Sequence, residues 1–101
     1  MLAVIHAAGS SFLPSTLRQY AERRLRFATD RYQDEIRNIA VRLADINGPK
    51  GGVDKICRLT ATLRRGRVIS TVSHGENFFA TINDAARRLR LVLARVTDLR
   101  R

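Results

Sequence analysis

Arginine dominates the polar chemistry of this sequence. The chain has 101 residues with 19 basic and 9 acidic side chains, which gives a net charge of +10. Only Lys50 and Lys55 are lysines, so 17 of the basic residues are arginines. The planar guanidinium group donates paired hydrogen bonds to phosphate or carboxylate and stays charged at physiological pH. A basic excess of this size in a small domain predicts binding to a polyanion, above all a nucleic acid, and the alternative is a basic protein with nothing bound.

Residues that could support catalysis or hold a metal are few. The chain has two histidines, His6 and His74, and one cysteine, Cys57. The strand register predicted below places Cys57 opposite His74, which suggests a metal or thiolate site. Zinc takes about three or four protein ligands, so two are too few, and an inert buried cysteine is the favoured interpretation. No paired carboxylates, nucleophile motif or nucleotide fingerprint appears, so we expect no enzyme activity, cofactor, metal or small-molecule substrate.

A glycine-rich loop, Asn47-Gly48-Pro49-Lys50-Gly51-Gly52, interrupts the middle of the chain. Its backbone amides could hold a phosphate, but it lacks the strand-to-helix context of a nucleotide-binding loop. A hairpin connector is favoured, with Asp45 and Asp54 fixing its turns.

Three runs on both sides of this loop alternate between apolar and polar residues, which predicts three antiparallel strands within residues 36–73. The apolar members of the first two runs are Ile39, Val41, Leu43, Cys57, Leu59, Ala61 and Leu63. A two-residue turn at Arg65-Gly66 pairs Leu63 with Val68. In the same register Leu59 lies opposite Val72, so both valines face the core. The outer face then carries Asn38, Arg42, Arg58, Thr60, Thr62, Ile69 and Thr71.

Two amphipathic helices flank these strands. The first is predicted over residues 14–32, with Pro14 at its first position. Its apolar stripe is Leu17, Ala21, Leu25, Ala28 and Tyr32. The second helix begins after the N-cap Asn77 and continues to about Leu99. Its stripe is Phe78, Ile82, Ala85, Leu89, Leu93 and Val96.

A short apolar run within Met1 to His6 predicts one more strand before the first helix, parallel to a later strand. We therefore expect a single α+β domain over residues 1–101. Its sheet has four strands and is mixed, in the order strand-helix-strand-strand-strand-helix, with both helices on one face.

Five segments resemble one known family. The first helix contains Leu17-Arg18-Gln19-Tyr20 and Arg23-Arg24-Leu25, and the second begins within Gly75-Glu76-Asn77-Phe78-Phe79-Ala80-Thr81-Ile82-Asn83 and continues through Arg88-Leu89 and Leu93-Ala94-Arg95. In this order and spacing they are similar to the hibernation-promoting factor and ribosome-associated inhibitor family, also called the Y-protein family. The resemblance covers almost the whole chain, and the glycine-rich loop with the following Asp54-Lys55-Ile56-Cys57 resembles a divergent branch of the family.

The resemblance implies a domain that binds the small ribosomal subunit through rRNA near the decoding centre and represses translation or protects idle ribosomes under stress. The family's basic helix positions correspond to Arg18, Arg24, Arg88 and Arg95. Two further basic positions of the family hold Phe27 and Leu91 here, so either neighbouring arginines substitute for them or the binding face has shifted. These neighbours are Arg23, Arg26, Arg87 and Arg90. The C-terminal domain with which longer members pair ribosomes is not expected.

Two interpretations from other classes stay open. The chain could be a general basic RNA-binding domain that does not act on ribosomes, or an interaction module that forms a homodimer through a sheet edge. No apolar run is long enough to span a bilayer, and no signal peptide is visible. Together with the single cysteine, this predicts a cytoplasmic protein without a membrane partner.

Overall fold

The computed structural model describes residues 2–8, 14–46 and 55–99 of the chain. The elements in chain order are β1 Leu2–Ala8, α1 Ser15–Thr29, a 3-10 turn Asp30–Glu35, β2 Ile36–Asp45, β3 Lys55–Leu63, β4 Val68–Gly75 and α2 Phe78–Leu99. The predicted α+β class is confirmed, as are the three antiparallel strands between two helices. The glycine-rich loop and Asp54 lie outside the described residues.

The strands lie side by side in the order β1-β2-β3-β4. β1 runs parallel to β2, while the β2–β3 and β3–β4 pairs are antiparallel. Strand residues with buried side chains, such as Ile39, Leu59 and Ala61, belong to one face and share a single cluster with residues of both helices. Both helices therefore cover the same face of the sheet, and the opposite face is open to solvent.

The two helices run side by side in the same direction. Near their starts, Tyr20 of α1 meets Phe79 of α2 edge to face, with ring centroids 5.0 Å apart. At the other end, the Thr97 hydroxyl donates to a Glu35 carboxylate oxygen at 3.2 Å. These two contacts hold the helices in parallel alignment, so their outward side chains lie next to each other on one surface.

The helix ends follow local hydrogen bonds. The Asn77 side-chain oxygen accepts from the backbone N–H of Phe79 at 2.7 Å and of Ala80 at 3.3 Å, which confirms the predicted N-cap. α1 ends earlier than predicted, at Thr29, whose hydroxyl donates to the Leu25 carbonyl oxygen at 2.7 Å. The chain then tightens into the 3-10 turn that contains Tyr32.

The predicted β3–β4 register is wrong by one residue. The structure pairs Ala61 with Ile69 and Leu59 with Thr71, so Ile69 and Thr71 face the core. Val68, predicted to be inside, is 58% exposed. Val72 likewise belongs to the outer row of β4.

The length of the turn explains the error. The Leu63 N–H donates to the Arg67 carbonyl oxygen at 2.8 Å, and the Gly66 N–H donates back to the Leu63 carbonyl oxygen at 2.9 Å. Gly66 has a φ of +89°, which suits glycine. Residues 64–66 therefore form a three-residue turn with a bulge, and the extra residue turns every side chain of β4 to the other face.

The inner row of β4 is more polar than its outer valines because α2 offers acceptors to it. The Thr71 hydroxyl donates to the Ala85 carbonyl oxygen at 3.2 Å. The Ser73 hydroxyl donates to Asp84 Oδ2 at 2.7 Å. A buried hydroxyl with a partner avoids most of the cost of losing water, so hydrogen bonding outweighs the apolar pattern here.

The same shift separates Cys57 from His74. Cys57 lies opposite Ser73, while His74 is exposed on the outer face. Burial raises the pKa of the Cys57 thiol to about 12, so the thiol stays protonated and unreactive. The described residues contain no group of three or more side chains suited to a metal ion.

Candidate nucleic-acid interface

All eight arginines predicted to bind RNA lie on α1 and α2, on the side of the helices that faces away from the sheet core. We call this outward face of the two helices the helical surface. Seven of its arginines are exposed and one, Arg24, is half-buried. The exposed seven are Arg18, Arg23, Arg26, Arg87, Arg88, Arg90 and Arg95.

The amphipathic pattern places them there. Leu17, Ala21 and Leu25 are at most 5% exposed, and they pin one side of α1 against the sheet. Leu89 and Leu93 do the same for α2. Residues between these positions must point sideways or outward, so the core dictates where the guanidinium groups lie.

One carboxylate organises the β4 side of α2. Asp84 Oδ1 pairs with an Arg87 guanidinium nitrogen at 2.7 Å, and Asp84 Oδ2 pairs with Arg88 Nε at 3.0 Å. The hydrogen bond from Ser73 is the main reason why the pKa of Asp84 lies below its ordinary value, followed by the hydrogen bond from Arg87. Two cations share a single carboxylate, so the cluster keeps a positive excess.

Arg88 also has a structural role. Its second contact is a hydrogen bond from the guanidinium group to the Val72 carbonyl oxygen at 3.0 Å. β4 is an edge strand, and this bond occupies one of its backbone acceptors. Homodimer formation through a sheet edge remains a prediction, and on β4 it would have to displace Arg88.

Of the other six arginines of the helical surface, five are exposed to a ligand and Arg24 is half-buried. Within the part of the chain that the structure describes, they form no ion pair. They are Arg18, Arg23, Arg24, Arg26, Arg90 and Arg95. Arg90 lies three turns beyond Phe79, so it is on the flank of α2 that faces α1, whereas Arg95 is two turns beyond Arg88 on the β4 flank. The helical surface thus carries arginines along both flanks of α2.

The two departures from the family pattern are exposed hydrophobic residues on this surface. Phe27 is 71% exposed and Leu91 is 50% exposed. The Arg24 guanidinium carbon lies over the Phe27 ring, 5.4 Å from its centroid. Arg24 Nε is buried and has no hydrogen-bond partner among the described residues.

The structure also shows basic side chains away from the helices. Arg42 and Arg58 lie directly opposite each other on β2 and β3, exposed on the outer face of the sheet as the alternation predicts. Like charges in this position repel, and neither arginine has an ion pair within the described ranges. The other arginines of the strands and the β3–β4 turn are Arg37, Arg64, Arg65 and Arg67. The helical surface is therefore the larger basic surface, though not the sole one.

Neither α1 nor α2 qualifies as a membrane-spanning helix, and no other helix of the described residues does.

A shallow depression lies where both helices begin, lined by Pro14, Leu17, Lys55 and Phe78 among others. Lys55 Nζ pairs with Asp45 at 3.0 Å and lies 5.9 Å from the Phe78 ring centroid. These contacts give Lys55 a structural role at that end of the domain.

A family model described as sigma 54 modulation protein / S30EA ribosomal protein matches residues 13–101 of the chain. A solved ribosomal subunit interface protein from Coxiella burnetii is similar, with 23% identity, a TM-score of 0.77, and coverage of 97% of this chain and 99% of that one. The N-terminal domain of Protein Y from Thermus thermophilus has 23% identity and a TM-score of 0.72, covering 95% of this chain and 99% of that one. These two likenesses show a shared fold. No curated protein matches the chain.

Proposed function

Because the chain belongs to the family of sigma 54 modulation proteins and S30EA ribosomal proteins, we propose that it binds the ribosome, through rRNA of the small subunit near the decoding centre. Bound there, it represses translation or protects idle ribosomes under stress, and it does so in the cytoplasm. The observation that carries this proposal is the helical surface, where eight arginines face away from the core and share few carboxylates.

The chemistry of this surface suits structured RNA. Arginines that neutralise phosphates release condensed counterions, which drives binding and makes it steeply salt-dependent. Double-stranded RNA is recognised mostly by shape and backbone, so an exposed surface of guanidinium groups needs no base-specific pocket. The eight arginines are proposed to contact rRNA phosphates, and Arg88 does so while it holds Asp84 and the β4 edge.

The test compares two double charge reversals of equal size on opposite faces. Arg90→Glu/Arg95→Glu alters the helical surface at positions without ion pairs in the described residues. Arg42→Glu/Arg58→Glu makes the same change in net charge on the outer sheet face. Each variant is mixed with purified small subunits and, separately, large subunits, and co-sedimentation is measured after circular dichroism has confirmed the fold.

We expect the helical-surface variant to lose co-sedimentation with small subunits and the sheet-face variant to keep most of it. Retention by the helical-surface variant, or equal loss by both variants, contradicts the assignment of the interface. Equal binding of the unaltered protein to large subunits and to unrelated duplex RNA supports instead a general RNA-binding domain. A salt-insensitive homodimer without RNA affinity supports the interaction module.

A further inference from the structure

Phe27 is exposed where an apolar ring has no structural task. It is the most exposed large hydrophobic residue in the described part of the chain, at 71%. The other aromatic residue of α1, Tyr20, packs against Phe79 of the second helix. Among the described residues Phe27 has no such ring contact and is not part of the hydrophobic core, so a polar residue at this position would leave the core unchanged.

The surroundings of Phe27 are cationic. Arg23, Arg24 and Arg26 precede it within about one helical turn, and the 3-10 turn brings Arg31 one turn later. Asp30 is the acidic residue within the same span, and its carboxylate accepts a hydrogen bond from Gln33 at 3.4 Å. The ring therefore lies among side chains that would attract a phosphate backbone.

Arg24 prepares the ring for a stacking partner. Its guanidinium group lies over the Phe27 ring at 5.4 Å from the centroid, close to the distance of a cation–π contact. The buried stem of Arg24 limits its movement, since Arg24 Nε is inaccessible to solvent. With one side of the ring covered and most of its surface still exposed, a flat partner can approach the open side.

We propose that Phe27 stacks on an unpaired RNA base while the adjacent arginines hold the flanking phosphates. Every nucleobase has a π-face, so such a contact tolerates any sequence but requires a base that is free of its neighbours. This inference rests on the proposed function, because it assigns a role to one residue within the proposed RNA-binding surface. It adds the expectation that the protein prefers single-stranded or bulged RNA, a preference that the arginines alone would not produce.

The chain contains no tryptophan, so Phe27→Trp places a unique fluorophore at the site. Its emission is followed during titration with an oligouridylate of about twelve nucleotides, a length that spans one typical single-strand site. A second titration uses an oligonucleotide of the same length and charge whose residues are abasic. Val68→Trp, at a position on the outer face of the sheet that is 58% exposed, is the matched control.

Stacking predicts that the emission of Phe27→Trp falls with the oligouridylate and stays unchanged with the abasic strand, while Val68→Trp responds equally to both. The affinity of variants without tryptophan is measured by titrating a fluorescently labelled oligouridylate. Phe27→Ala and Phe27→Leu should bind it about five- to hundredfold more weakly than the unaltered chain, and Phe27→Tyr should bind it equally well. Equal quenching by the abasic strand, or unchanged affinity of Phe27→Ala, overturns the inference.

The two proposals fail in different ways. If Phe27→Ala binds oligouridylate and small subunits normally while Arg90→Glu/Arg95→Glu does not, the stacking inference is wrong and the proposed function stands. If the unaltered protein fails to bind small subunits while base-dependent quenching persists, the stacking is supported and the ribosomal function is wrong. Quenching of Phe27→Trp by anionic lipid vesicles but not by RNA overturns the inference in favour of a membrane surface.

Discussion

Replacing Asp84 should lower the stability of the protein and raise its affinity for RNA. The carboxylate accepts the Ser73 hydroxyl at 2.7 Å and pairs with Arg87 and Arg88 at 2.7 and 3.0 Å. Asp84→Ala leaves the Ser73 hydroxyl buried without its partner and removes the anion that two arginines share. Few single changes should move folding and binding in opposite directions, which makes this variant informative.

The stability loss follows from burial. Ser73 is 2% exposed, and a buried hydroxyl left without a partner costs about 1–3 kcal/mol. The side chains of Arg87 and Arg88 are 56% and 54% exposed, so their ion pairs add at most about 1 kcal/mol together. We expect a loss of about 2 kcal/mol in the free energy of unfolding, which corresponds to a decrease in Tm of roughly 10 °C for a domain of this size.

Urea denaturation of the single variants and of Ser73→Ala/Asp84→Ala measures the coupling directly. Removing both partners should cost less than the sum of the single changes, by about 1 kcal/mol. The stability difference between the unaltered chain and Asp84→Asn should also depend on pH. Because the folded-state pKa of Asp84 lies below its ordinary value of 3.8, its contribution is present above that pH and is lost as the pH falls through the lowered pKa.

The binding arm uses the salt dependence of affinity for small subunits. Each additional phosphate contact made by a freed arginine steepens the slope of log K against log salt by about 0.7–0.9. An Asp84→Ala variant that is as stable as the unaltered chain refutes the role given to Ser73. A destabilised variant whose affinity and slope are unchanged refutes the placement of Arg87 and Arg88 at the RNA.

Three further outcomes are expected. Gly75→Ala should lower the free energy of unfolding, measured in urea, by about 1–3 kcal/mol, because the added Cβ would lie 2.6 Å from the hydroxyl oxygen of the buried Thr81. Adding Thr81→Ala to this variant should recover part of the loss. If Gly75→Ala loses no stability, the Thr81 side chain moves aside freely. Arg58→Thr should raise the free energy of unfolding by about 0.2–1 kcal/mol at low salt, because it removes the repulsion between Arg58 and Arg42. This gain should vanish near 1 M salt, where the Debye length is about 3 Å. A gain that persists at high salt excludes charge repulsion as its cause. Cys57 should react with a thiol reagent at pH 8 at least about a hundredfold more slowly in the native protein than in urea, because burial raises its pKa to about 12; equal rates would contradict its burial.

The elements were predictable because their patterns are periodic and long. The apolar stripe of α2 and the cap at Asn77 specify that helix without reference to the rest of the chain. The alternation in β2 and β3 likewise identifies their buried rows, including Ile39 and Leu59. In each case the local sequence and the tertiary fold favour the same conformation.

The register of β4 was not predictable in this way. Val68 and Val72 look like the better core residues, but a three-residue turn and two acceptors on α2 favour the row of Ile69, Thr71 and Ser73 instead. The hydrogen-bond partners of that row lie more than ten residues away along the chain, so no local pattern reveals them. A basic residue followed by glycine is compatible with turns of either length.

The arginine positions of the interface were predictable as outward positions but not as a set of partners. The helical period places Arg87, Arg88 and Arg90 outside the core, yet it does not show that two of them share Asp84. The contact between Arg88 and the β4 edge depends on tertiary structure alone. The cation–π contact joins Arg24 to Phe27, three positions later on the same helix, so helical spacing alone could have predicted it.

The shared direction of α1 and α2 gives the domain an electrical polarity along its length. Each helix carries roughly half a positive charge at its start and half a negative charge at its end, and here both starts lie at the same end of the molecule. Arg90 and Arg95, in the later half of α2, reduce the negative pole of that helix, while the end of α1 keeps its own. A polyanion lying lengthwise on these helices therefore meets a more positive potential at one end than at the other, and the protein should bind it in one orientation rather than in two related by a half-turn.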